Sequence, residues 1–399
     1  MSDKGENGII RFPRKAREYF GFSNNQVVLG KGKYQTNLTV KQAYKDDVRR
    51  LAGMLQKGRL TDEEAVSVGF VTRTIQQRIN RKEGNVWVSD GVGNITIGAD
   101  PEFGLVDHRG MLRRGSNVVP HDGRFGSDGP SVEVRPPPDR DHLVVVNRIE
   151  EILRNPPEAA EPYKWQGGAT YRDENRVYWF GGHIHLGRPA QIQEDVAFGV
   201  YQKIATVLDS LLALPMCRFD TPDPHRRRNG CQYHYGKAGD IRADYPEQDR
   251  FEYRVLSGLW LAHPTLAKIA MGTAKCIAET SYGRIADQKF DLDWAVAPAS
   301  RKGLLKTFGL KDLRGVQAII NRARTDEVTA DHIKEWKKQM RKLDFFDDYS
   351  AELNALMALA TAAPDQFSLD IKDNWHNDTP LLPKASAPLR RALEAVEEK

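Results

Sequence analysis

The chain has 399 residues, 40% of them hydrophobic, with 59 Lys and Arg against 54 Asp and Glu. That length allows one large domain with additions or two to three ordinary ones around a substantial core. A net charge of +5 is too small to imply nucleic acid by itself. No run of about 18 apolar residues argues for a membrane span. Cys217, Cys231 and Cys276 are at no zinc-like spacing and argue against a disulfide framework or structural zinc. The opening Met1-Ser2-Asp3-Lys4-Gly5 carries no signal pattern, so a cytoplasmic protein is expected.

Residues 1–93 read as a helical, basic accessory segment. Thr61 and Glu64 form a capping box, after which Ala65, Val68, Val71, Ile75 and Ile79 recur at helical spacing until Arg81-Lys82-Glu83-Gly84 ends the run. Arg73, Arg78 and Arg81 make one face basic. A solvated surface is a simpler reading of that face than a nucleic-acid contact.

From 94 to 260 strand patterns dominate. In Ile95 to Leu105, alternation puts Asp100 and Glu102 on one face, opposite Ile97, Ala99 and Phe103. The spacing recurs at Glu133 and Arg135, opposite Val132 and Val134, and at His183 and His185, opposite Ile184 and Leu186. It recurs again at Glu252 and Arg254, opposite Phe251, Tyr253 and Val255. Any one pair alone is a half-buried antiparallel strand with its polar side in water. Together these positions hold only Asp, Glu, His and Arg, whereas solvent-facing strand positions draw freely on Lys, Thr, Ser and Gln. That points to one shared site, and so many carboxylates in one space need cations. Between the first two strands, Gly115 to Gly129 carries the turn dipeptides Asp122-Gly123 and Asp128-Gly129. Between the last two, His225-Arg226-Arg227-Arg228, Lys237 and Arg242 gather positive charge beside the carboxylates, which suits a polyphosphate.

After the histidine strand, Val196, Val200, Ile204, Val207, Leu208, Leu211 and Leu212 trace the apolar stripe of a helix, with Pro215 as its expected stop. From His263 the chain is mainly helical: a small-residue helix to Tyr282, another over Asp312 to Arg324, and a third carrying Ile333, Trp336, Met340 and Leu343. Residues 364–388, rich in Pro, Asp and Asn, read as a linker before a short charged helix. The expected organisation is therefore 1–93, then 94–363 as a strand-bearing core (95–262) with a helical continuation (263–363), then 364–399. Strands followed by helices, without βαβ alternation, predict α+β with an antiparallel sheet.

Magnesium prefers oxygen ligands and binds through a few carboxylates plus substrate phosphates. Asp100, Glu102, Glu133 and Glu252 supply such oxygens, for magnesium or manganese. His183, preceded by Gly181-Gly182, sits where the backbone lets a bulky ligand approach, and His185, one pleat along, is in place to reach a phosphate oxygen. Arg254 and Arg135 face a transferring phosphoryl group, whose catalysis rests on positioning and charge neutralisation. Zinc hydrolases also use an H-x-H pattern, but no Glu follows at three or four residues and no third His completes a zinc set. Either histidine also reads as a hydrogen-bonded core residue, and Arg226-Arg227-Arg228 as a solvated loop.

The relevant motifs are Gly98-Ala99-Asp100-Pro101-Glu102-Phe103, Asp128-Gly129 with Glu133-Val134-Arg135-Pro136, Gly181-Gly182-His183-Ile184-His185-Leu186-Gly187, Tyr235-Gly236-Lys237-Ala238-Gly239-Asp240-Ile241-Arg242, and Phe251-Glu252-Tyr253-Arg254. In these motifs and their order the chain resembles the phage-encoded amidoligases of the second type, carboxylate–amine ligases related in catalytic fold to glutamine synthetase and glutamate–cysteine ligase. The resemblance implies a curved antiparallel sheet of the glutamine-synthetase type backed by helices. It also implies ATP-dependent amide formation between a carboxylate and an amine, by a phage protein acting in host cytoplasm. By the same resemblance Asp100, Glu102, Glu133, His183 and Glu252 are metal ligands. His185 contacts ATP phosphate, and Arg254 neutralises the transferred phosphate. Arg135, Arg227, Arg228, Lys237 and Arg242 are further contacts for nucleotide or acyl phosphate. Asp100 stands where the wider superfamily often has Glu, one methylene longer. Asp122 and Asp128 are candidates for the base that an amine nucleophile needs. Two other classes stay open: a non-catalytic virion or scaffold protein that keeps the fold and binds nucleic acid or a partner, and a metal-dependent hydrolase using His183 and His185. The substrates' identities and the oligomeric state are open as well.

Overall fold

The computed structural model describes residues 26–29, 36–39, 87–120, 123–174, 176–192, 194–220, 236–243, 249–286, 313–322, 330–363, 367–377 and 379–399. The chain divides into two compact units, 1–85 and 86–399. In the first, β1 (Gln26–Leu29) and β2 (Thr36–Thr39) pair antiparallel, Gln26 opposite Thr39. The helix expected after Thr61 lies outside the described residues.

In the second unit, β3 (Val88–Ser89) and β4 (Ile97–Ala99) lead into β5 (Glu102–Val106) and β6 (Leu112–Arg113). The hairpin of β7 (Phe125–Asp128) and β8 (Ser131–Val134) follows. Gly129, at φ +60°, sits in its turn, a conformation that costs a residue without Cβ nothing. The helix α1 (His142–Arg154) is capped by the Asp141 carboxylate, which accepts the Leu143 N–H, and buries Val145, Val146, Ile149 and Leu153. Next come β9 (Lys164–Gln166), the hairpin of β10 (Thr170–Arg172) and β11 (Val177–Trp179), β12 (Ile184–Pro189) and α2 (Glu194–Leu208). Two more strands, β13 (Ile241–Arg242) and β14 (Arg250–Tyr253), precede the helices α3 (Pro264–Ala286), α4 (Leu313–Arg322), α5 (Ala330–Met340), α6 (Ser350–Ala362), α7 (Ile371–His376) and α8 (Ala387–Glu397).

Two sheets result. In one, β12 pairs antiparallel with β14 and β4 and parallel with β3, and β13 extends the sheet beyond β14. In the other, β5 pairs with β6, β8 and β9, and β7 lies outside β8. The sheets meet at Asp100-Pro101, between the end of β4 and the start of β5. Pro101 has no N–H to give a ladder, but its carbonyl accepts from Val134 N at 3.0 Å, and the Glu102 N–H donates to Gly181 O at 2.7 Å. The outcome is a mixed α+β unit with a curled antiparallel half-barrel. The parallel β3–β12 pair is an exception to the antiparallel expectation.

Helix α3 runs through the helical layer, packed against α1, α2 and α6, with α8 on α6. A Cβ on Gly272 of α3 would stand 2.7 Å from Glu352 Cγ and 2.9 Å from His142 Nε2, so the small residue there lets α1 and α6 meet. Two buried ionic groups cross the layer. Glu279 accepts the Ile95 N–H at 3.0 Å, the Tyr349 hydroxyl at 2.8 Å and the Lys275 ammonium. Glu352 meets His142 Nε2 at 3.0 Å and Lys399 Nζ at 2.9 Å.

Two expectations are corrected. Pro215 does not stop the helix after β12, because α2 passes into a π-helical turn, Asp209–Ala213, and continues to Met216. The wide turn has already taken the backbone out of α register, and Pro215 falls at the start of the next helical turn, where a missing N–H goes unfelt. The stretch Ala197–Met216 is apolar enough to cross a bilayer by composition, yet most of it is buried inside the protein. The segment expected as a linker also docks. Its Trp375 is buried and donates its indole N–H to Leu261 O at 2.7 Å, and Asn374 donates to Ala262 O at 2.6 Å.

Candidate active site

Register brings the polar pairs together. Across β12, His185 stands opposite Glu252 of β14 and opposite Gly98 of β4. Asp100 follows β4 directly, and its N–H donates to His183 O at 3.3 Å. His183 Nδ1 then lies 3.3 Å from Asp100 Oδ1 and 3.1 Å from Glu252 Oε1, while His185 Nε2 lies 3.1 Å from the same Asp100 oxygen. These side chains are interior, with Glu252 at 1% exposure and His183 at 3%.

A second carboxylate group adjoins the first. Glu102 and Glu133 face each other across β5 and β8, and ligand oxygens of Glu102, Asp128 and Glu133 lie within 4.8 Å of one another. Asp100 and Glu102, expected on one face of one strand, therefore divide between two groups. The physical reason is Pro101, which ends one ladder and forces the chain into the other sheet. Glu102 is held by the Gly181 N–H, 2.9 Å from its Oε2.

The electrostatics follow from burial and proximity. Burial pushes the Asp100 carboxyl up, but the imidazoles of His185 and His183 outweigh it and hold the group well below the usual carboxylate range. Burial works against a proton on His183, yet the facing carboxylates of Asp100 and Glu252 prevail and raise the imidazole to about 10. Glu252 is likewise lowered, burial being outweighed by His183. Glu133 goes the other way: burial, then the Asp100 charge, push it up to about 6 against the opposing ion pair with Arg135.

Asp100 Oδ1, His185 Nε2 and Glu252 Oε1 are buried and have no hydrogen-bond partner among the described residues beyond their ionic contacts, and ligand atoms of the three residues lie within 4.8 Å of one another. Oxygen-rich groups with imidazole at the edge suit a hard divalent cation of the magnesium or manganese type.

The cationic candidates separate clearly. Arg254 Nε is 3.3 Å from Glu252 Oε1, and its Nη1 is 3.7 Å from Asp240 Oδ1. Arg242, opposite Glu252 in the β13–β14 register, pairs with Glu252 Oε2 at 2.5 Å. Arg135 Nε donates to Glu133 Oε2 at 2.7 Å. Lys237 lies in the turn before β13, its carbonyl accepting the Asp240 N–H at 2.9 Å. Arg227, Arg228 and Asp122 lie outside the described residues. A cleft of about 650 Å³ opens onto Glu102, Asp128 and Arg254, walled by Val177, Tyr178 and Trp179 of β11. Sequence reasoning missed Arg250, whose Nη1 is 2.9 Å from His185 Nδ1, and Trp87, which stands 6.0 Å from the His185 ring. A signal for Arg250 existed, because Arg250, Glu252 and Arg254 share one strand face.

The family model described as phage phiEco32-like COOH.NH2 ligase, type 2, matches residues 97–350, from the first residue of β4 to the first residue of α6. No curated protein matches the chain. Both carboxylate groups, both histidines and Arg254 fall inside the matched region, and the chain belongs to the phage phiEco32-like COOH.NH2 ligase type 2 family.

Proposed function

We propose that this carboxylate–amine ligase is ATP- and magnesium-dependent, works through an acyl phosphate, and uses a sheet of the glutamine-synthetase type. The observation that carries the reading is the pair of adjoining carboxylate groups, one with buried ligand atoms that have no hydrogen-bond partner beyond their ionic contacts with ring nitrogens and Arg254 among the described residues. Asp100, His183 and Glu252 would hold one cation, and Glu102 and Glu133 another. Bound cations would offset charge on the phosphates and on the attacking carboxylate.

The chain's own groups do the rest. A substrate carboxylate attacks the γ-phosphorus of ATP, the bond to ADP breaks, and the amine then displaces phosphate from the acyl phosphate. Arg254 neutralises the phosphoryl group in flight, and His185 donates to a phosphate oxygen. Arg135, Lys237 and Arg242, with Arg227 and Arg228, supply further positive charge to nucleotide or acyl phosphate. Asp128 is the candidate acceptor for the amine's proton, since it lines the cleft that Glu102 and Arg254 also line. The setting is host cytoplasm.

The full chain, with ATP and magnesium, should release ADP and phosphate only when a carboxylate and an amine are both present, with the amide found by mass spectrometry. Turnover without nucleotide, or release indifferent to both substrates, overturns the reading.

A further inference from the structure

The two histidines of β12 look alike by distance. Each places a ring nitrogen within 3.3 Å of Asp100 Oδ1, and His185, not His183, groups with Asp100 and Glu252 when ligand atoms are compared. Proximity alone would make His185 a metal ligand.

The other side of the His185 ring says otherwise. Its Nδ1 lies 2.9 Å from Arg250 Nη1. A guanidinium carries five N–H donors and no acceptor, and it does not deprotonate in proteins. Nδ1 must therefore offer its lone pair, and the neutral ring carries its hydrogen on Nε2. That Nε2 is buried, faces Asp100 Oδ1 at 3.1 Å, and has no hydrogen-bond partner beyond that contact among the described residues. A metal-bound imidazole needs the reverse arrangement, with the second nitrogen donating its N–H to a carboxylate, carbonyl or water. Arg250 presents a donor where an acceptor is required.

The sheet is shaped to hold this contact. Arg250 pairs with Gly187 in the β12–β14 register, one pleat from the His185–Glu252 pair, so its side chain reaches diagonally over a position with no side chain. Trp87 covers the assembly, with the guanidinium 5.1 Å from its ring centre. Gly98, opposite His185 on the other edge, makes room for that indole: a Cβ there would stand 2.7 Å from Trp87 Cη2.

We propose that Arg250 is a positioning residue that fixes His185 as an Nε2–H donor, reserving His183 for the cation and His185 for an oxyanion of phosphate type. The proposal rests on the metal–phosphate reading above, but its test does not need turnover. Side-chain nitrogen NMR of the full chain without metal, assigned through His185→Gln, reports which ring nitrogen carries the hydrogen. The expected result is the Nε2–H form, lost in Arg250→Met and retained in Arg250→Lys, which keeps a donor and guards against a folding failure of the first variant. In a parallel measurement with Mn²⁺ as probe, His183→Gln weakens binding by at least the about 10–100-fold that outer-shell changes cost, and His185→Gln leaves it nearly unchanged. An Nδ1–H form in the unaltered protein, or an equal loss of Mn²⁺ in the two histidine variants, overturns the assignment. If the NMR result holds and no ATP-dependent ligation is found, the ligase reading fails while the role of Arg250 stands.

Discussion

Glu279 and Glu252 are each 1% exposed, yet their surroundings differ in kind. Glu279, in the helical layer, has both oxygens engaged, by a backbone N–H, an ammonium and a tyrosine hydroxyl. Glu252, in the sheet, pairs one oxygen with Arg242, while the other meets His183 Nδ1 at 3.1 Å and Arg254 Nε at 3.3 Å and makes no hydrogen bond beyond those ionic contacts among the described residues. A carboxylate satisfied from within belongs to the architecture. One left partly unsatisfied, beside others in the same condition, is arranged for something that arrives later. Burial alone separates nothing here, and the completeness of the partners does.

Matched substitutions break this comparison most directly. Glu279→Gln leaves Lys275 buried without its counter-charge and should lower stability by about 3–5 kcal/mol in urea unfolding. Glu252→Gln should lower it less, because Asp100 still faces His183 and the Arg242 side chain is about half exposed, and equal losses would remove the distinction. Next in size, Arg254→Gln should cut ligase turnover by about 10²–10³-fold with the fold intact by circular dichroism. A smaller effect separates the regions by ligand. Magnesium and ATP at about 100 times their Kd should stabilise the protein by about 2.7 kcal/mol, read as a rise in Tm that Glu252→Gln abolishes and that substitutions at Glu352 preserve.

The smallest effect is the helical layer's own contribution to pH dependence. Burial pushes Glu352 up, but His142 and Lys399 outweigh it, so the folded carboxyl titrates below its ordinary value of 4.5. Its contribution is complete above that value and drains away as pH falls through the folded one. Glu352→Gln should therefore lower Tm at neutral pH and flatten its decline below pH 4.5. A parallel downward shift at every pH would contradict this.

The α+β class was legible because strand alternation and helical spacing occupy different stretches of the chain. The convergence of Asp100, His183 and Glu252, with Glu133 in the adjoining group, was legible because period-two pairs of charged residues are a poor fit to open water. The split between Asp100 and Glu102 was not read, although Pro101 between them marks a broken ladder. Arg250 was missed because its strand was read as a pair and not followed one pleat back. The Glu279 group leaves no local trace at all: its bond to the Ile95 N–H joins residues 184 positions apart, and on α3 it is one polar residue among small ones. Trp375 was hidden by neighbours whose composition signals turns, since composition averages over the single large side chain that docks a segment.

The crossing at Asp100-Pro101 carries an evolutionary consequence. A single residue, Pro101, separates the carboxylates that serve neighbouring groups, and each is held in register by a different sheet. One inserted or deleted residue there would turn Glu102 toward the apolar side and present Phe103 in its place. This junction is closed to insertion and deletion, and can change only by exchange of one side chain for another.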